Sequence, residues 1–189
     1  MTNEYVFKSW SGVSSIFAGS FLFLAHTIHL IASAPDGTVL GKSLVLTAHI
    51  ILVFSFIGLY EVHGKRNGIL GNLSMFLGVI GTVSVSAIVF VELTGAYGVD
   101  VSSIFEQDVP YFIHLIGPLL FVIGVILTGV TISLGKIFPK LSGFLLILGT
   151  VIFALGSMFG SLEGLFSVIG SAFTASGFIW TGWYLLSMK

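Results

Sequence analysis

The 189-residue chain is 56% hydrophobic and only 8% charged, with a formal net charge of −1 and no cysteine. So little charge cannot cover a soluble domain of this size, which points the chain to a bilayer. Seven Lys and Arg, scattered singly or in one pair, exclude nucleic acid, whose phosphates demand clustered cations; the missing thiols exclude disulfides, Cys-ligated zinc, iron–sulfur clusters and thiol nucleophiles.

The N-terminal stretch MTNEYVFKSW carries Glu4 and Lys8 ahead of a long apolar run with no small-x-small cleavage signature, and reads as a retained first helix. Crossing a hydrocarbon core takes about 20 apolar residues. Six segments meet that length: Trp10 to Ser33, Gly41 to Glu61, Gly68 to Gly95, Val109 to Leu134, Leu141 to Gly160, and Gly164 to Met188. Short turns separate them at APDGT, HGKRNG, GKIFPK and SLEG, and only TGAYGVDVSSIFEQDVP is a sizeable loop. The expected fold is therefore all-α, a single six-span polytopic bundle over residues 1–189.

With both termini in the cytoplasm, Lys8, Lys65, Arg66, Lys136, Lys140 and Lys189 fall inside and only Lys42 outside, a positive-inside pattern. Trp10, Tyr60, Trp180, Trp183 and Tyr184 then anchor the inner interface, and Tyr97 and Tyr111 the outer one. The expected setting is a prokaryotic cytoplasmic membrane. Gly58, Gly64, Lys65, Gly78 and Ser86 recur at an offset of 71 as Gly129, Gly135, Lys136, Gly149 and Ser157, a weak trace of a duplicated hairpin. Abundant Gly and Ser predict close helix packing, and Pro118 predicts a kink in span four.

The ionisable residues inside the spans carry the functional reading. His26 and His29 lie in the outer part of span one, His49 in span two, Glu92 near the outer end of span three, and His114 near the start of span four. At 1.5 Å per helical residue they share one layer, about 5 to 15 Å below the outer surface. Each His alone could be interhelical glue, but a carboxylate in a span costs roughly 2.5 to 3.5 kcal/mol on insertion scales and is usually functional. His63 and Glu61, beside Lys65 and Arg66, read as solvated at the inner interface, and Glu163 as solvated in an outer turn.

Two facing histidines could hold a b-type haem, with His26, His49 and His114 as the leading ligands, although Lys42 is the only outer cation for two propionates. The same layer could hold a transition metal, Zn, Fe or Cu, through His26, His29, His49, Glu92 and His114. His-x-x-His puts two rings on one helix face, but it is not the usual metal-binding pair. The expectation is haem or metal coordination for electron transfer or redox chemistry, with Glu92 as proton acceptor or fourth ligand and a membrane quinone or similar molecule as redox partner. Two alternatives stand beside it: a small proton-coupled transporter using Glu92, and a non-catalytic assembly subunit, as a homo-oligomer or in a larger complex. No Schiff-base lysine, His-Glu-x-x-His, Walker loop or Gly-x-Ser-x-Gly elbow is present.

Overall fold

The computed structural model describes residues 3–33 and 37–188. The first predicted turn falls largely outside these residues, as does Lys189. Six α-helices follow in order: α1 (Asn3–Ala32), α2 (Val39–Val62), α3 (Gly68–Ala96), α4 (Asp108–Leu134), α5 (Lys140–Gly156) and α6 (Glu163–Ser187). There is no strand among the described residues. Five helices are long and apolar enough to cross a membrane; α5, at 17 residues, is not.

Each helix packs on its neighbour in sequence, and α6 packs back on α1, so the six form a closed ring. Spans five and six, which carry none of the expected ligands, complete that ring. The seam between first and last helices is drawn tight where Lys8 donates to the carbonyl of Met188 at 2.7 Å. Glycines set the spacing at several crossings. A Cβ at Gly124 would overlap the backbone nitrogen of Gly78, and one at Gly149 would overlap that of Thr174, so α3–α4 and α5–α6 approach backbone to backbone.

One half of the ring is filled. Leu52, Phe56, Val125, Ile132, Leu146, Phe178 and Leu185 are all at most 1% exposed. Phe56 sits at the centre, edge-on to Phe121 at 6.4 Å and to Phe178 at 6.2 Å. Such tilted aromatic contacts close the axis of the bundle at mid-height.

Two expectations change. Helix α5 stops at Gly156, four residues before the predicted limit, and the chain turns through Gly160 with φ +52°. Helix α4 continues through Pro118, whose ring removes one hydrogen bond from its ladder. His63 is not solvated: it is 3% exposed, its ring packs edge-on against Phe138 at 5.6 Å, and its Nε2–H donates to the carbonyl of Thr131 at 2.7 Å. Glu61 alone stays at the surface, paired with Lys65.

Candidate functional site

Beyond Phe56 and Phe121 the ring is not filled. Side chains there are too short to meet across six helices, and a cavity of about 310 Å³ remains. Every helix contributes to it. Leu22, His26 and His29 come from α1; Lys42, Val45 and His49 from α2; Val85, Val89 and Glu92 from α3. His114, Pro118 and Phe121 come from α4, Thr150 and Phe153 from α5, Ser171 and Thr174 from α6. All five residues singled out by depth in the sequence thus line one space.

His49 forms the floor. It is 4% exposed, with its Nδ1 2.8 Å from Oγ1 of Thr82. The Thr82 hydroxyl donates its only proton to the His49 carbonyl at 3.1 Å. With that proton on the carbonyl, Thr82 accepts at the ring, and from this pairing we infer a proton on Nδ1 and a lone pair on Nε2. The face of Phe121, 4.7 Å from the imidazole, holds the ring from the other side. Sequence reasoning missed Thr82, which is one of several small hydroxyl residues in GVIGTVSVSA with nothing local to distinguish it.

Higher up, His26 stands edge-on to Phe153 at 4.8 Å and to His29 at 6.2 Å. His29 packs over the start of α2, where a Cβ at Gly41 would overlap its ring, and its buried Nε2 has no hydrogen-bond partner. His114 is exposed at the rim and leans on Phe105 at 4.7 Å. Thr150, 4% exposed, lines this space, and its buried hydroxyl has no partner.

The charges at the mouth cancel. Lys42 reaches Glu92 at 2.6 Å, with side chains 17% and 30% exposed. Both residues were legible as outer-half charges on adjacent spans, but not as a pair. Their union commits Glu92 to a cation and removes the one outer lysine from the propionates a haem would bring. Nor do three His, Asp or Glu side chains converge at metal-binding spacing among the described residues.

What the arrangement offers is an apolar chamber with few polar groups, at the small end of the roughly 300 to 1,000 Å³ typical of ligand pockets. No family model matches this chain, and neither does any curated protein or solved structure.

Proposed function

We propose that this chain is a six-span protein of a prokaryotic cytoplasmic membrane, both termini inside, that binds a small ligand in the His-lined cavity. The orientation rests on the cations: among the described residues Lys8, Lys65, Arg66, Lys136 and Lys140 lie at the filled end, and Lys42 at the cavity end. Helix α5 covers about 26 Å at 1.5 Å per residue. The apolar link to α6 makes up the rest of the roughly 30 Å core.

The observation that carries the binding reading is the buried His49 ring in the cavity floor, held between Thr82 and Phe121, whose Nε2 is an acceptor when Thr82 gives its proton to the His49 carbonyl. A ring locked by Thr82 and Phe121 presents an acceptor whose position does not depend on a ligand, and that is preorganisation. The same lone pair favours a second reading, coordination of haem b or a transition metal for electron transfer. A metal-bound imidazole usually has its other N–H held as this one is. His26 or His114 would be the opposing ligand. Transport through Glu92 has less support, since Glu92 is held by Lys42 and the aromatic floor lies beneath.

The experiment is native mass spectrometry of the protein released from its membrane, beside an oxidised and dithionite-reduced optical spectrum and elemental analysis. A bound organic mass that disappears in His49→Phe supports the first reading. A Soret band, or stoichiometric metal lost in the same variant, replaces it with the second. A wild-type protein free of both, or a ligand retained by His49→Phe, refutes a His49-centred site.

A further inference from the structure

The wall of the cavity is uneven. Helices α3 and α4, at 29 and 27 residues, rise about 44 and 40 Å. Helix α5 has only 17 residues. Gly129 and Gly143 meet at the α4–α5 crossing and fix the register. Thirteen residues past Gly143 is Gly156, the end of α5; thirteen before Gly129 is Ile116. His114 therefore stands above the top of α5, and so does the Lys42–Glu92 mouth carried by α2 and α3. Helices α4 and α6 share no packed interface of their own. At that height α5 has ended, and the flank is left to the link 157–162 and the α3–α4 loop, whose Phe105 packs on His114.

That link is greasy. No charged residue occurs from Leu141 to Leu162. Met158 is 78% exposed, and Phe159 and Leu162 are each 50% exposed, while Phe159 stacks on Phe166 at 4.7 Å. The α3–α4 loop, by contrast, carries Asp100 and Glu106 and faces water. Exposed apolar side chains on a segment this close to the membrane face contact acyl chains, so the low side of the wall opens to lipid.

The interior sets the chemistry of what could cross. The Nε2 lone pair of His49 requires a donor, and the buried Thr150 hydroxyl lacks a partner. A phosphate head would find no free cation and would face Glu92. We infer that the cavity takes a neutral, membrane-soluble alcohol or phenol, which reaches it from the bilayer over the α5–α6 link. Reduced quinones are one member of this class. The inference rests on the reading that the cavity binds a small ligand.

The test uses the full chain in lipid nanodiscs with ¹⁵N-histidine, four probes, and the His49 Nε2 resonance as reporter. The probes are 4-dodecylphenol, 4-dodecylanisole, tail-less phenol and added phosphatidylglycerol. Dodecylphenol should shift the resonance with a midpoint at least 10-fold below that of dodecylanisole, and phosphatidylglycerol should do nothing. Thr150→Val should raise the dodecylphenol midpoint several-fold while the Nδ1 resonance stays in place, showing an intact fold. Because the chain has no cysteine, a single Met158→Cys labelled with a bulky maleimide should slow dodecylphenol binding at least 5-fold, and the same label at Val99→Cys should not. Equal midpoints for the phenol and anisole refute the donor requirement. A phenol midpoint equal to that of dodecylphenol, or a label at 158 without effect, refutes access from the bilayer while leaving the cavity as a binding site. If no probe moves His49, the binding reading itself falls.

Discussion

Replacing Thr82 with valine keeps the shape of the side chain and deletes the hydroxyl that fixes His49. Two hydrogen bonds are lost, at 2.8 and 3.1 Å, both fully buried. The bond to the His49 carbonyl matters little, because that carbonyl keeps its place in the α2 ladder. The other leaves Nδ1–H without an acceptor. Stranding a buried donor costs about 1 to 3 kcal/mol, whereas hydrogen bonds between membrane helices average about 0.6 and reach about 1.7 kcal/mol. A second effect caps the loss: the imidazole can move its proton to Nε2, on the ligand side. We therefore expect Thr82→Val to cost about 1 kcal/mol, to turn Nδ1 from pyrrole-like to pyridine-like in ¹⁵N spectra, and to weaken any ligand that donates to Nε2. A double-mutant cycle with His49→Phe, read by unfolding in bilayers, isolates the pair and should give a coupling of about 1 kcal/mol. Additivity within about 0.3 kcal/mol, with an unchanged ¹⁵N pattern, would refute the tautomer argument.

Phe56→Ala should destabilise the protein by about 3 to 5 kcal/mol, because Phe56 is 1% exposed and touches both Phe121 and Phe178; xenon-dependent NMR shifts at Phe121 should report the opened floor. Gly149→Ala should also destabilise, by about 1 to 3 kcal/mol in the same unfolding assay, since its methyl would overlap the Thr174 backbone, and the gain of about 1 kcal/mol in helix propensity is smaller. Burial pushes His63 below its ordinary value, the Arg66 charge adds to this, and the bond to Thr131 opposes it. The unfolded chain then binds the extra proton first, so the contribution of His63 is complete above about pH 6.5. It is lost as pH falls from there until the folded site itself protonates. His63→Gln should flatten that part of the wild-type stability profile.

Helix positions were legible wherever an apolar run met polar residues at its ends, as at α2, α3 and α4. The end of α5 was not, because Met158 and Phe159 continue the hydropathy past Gly156 and hide the turn at Gly160. Helix α1 begins about two turns before Trp10, where the first span was placed. His63 was misplaced for a related reason: its neighbours Lys65 and Arg66 suggest water, but Thr131 and Phe138, far away in sequence, cover it. Depth along a helix follows from counting residues, so the gathering of His26, His29, His49, Glu92 and His114 in one half of the bundle could be read, although they run from its floor at His49 to its mouth at Glu92. Azimuth around a helix depends on which neighbour it packs against. Only the closed ring reveals that Lys42 meets Glu92 and that Thr82, rather than Ser84 or Ser86, meets His49.

The same ring explains why a cavity persists at one end. Six helices enclose more space than aliphatic side chains can fill from the wall, and at the inner end phenylalanines bridge the gap. At the other end valines, threonines and a serine take those positions. At roughly 24 cal/mol per Å³, about 7 kcal/mol is the ceiling for a dry, enclosed void of about 310 Å³, and this one is open at its mouth. That ceiling is comparable to the whole stability of a typical domain, about 5 to 15 kcal/mol. Larger aliphatic residues at Val85, Val89 and Val122 would remove the cost, so a chain under no demand for the space has an easy remedy. On the proposed reading the volume is sustained by occupancy instead. Water can bond to His49, but it gains nothing against Leu22, Val45, Val89 and Phe153. A molecule with an apolar body and one hydroxyl fits both kinds of wall, and its binding would stabilise the fold in proportion to the logarithm of its concentration.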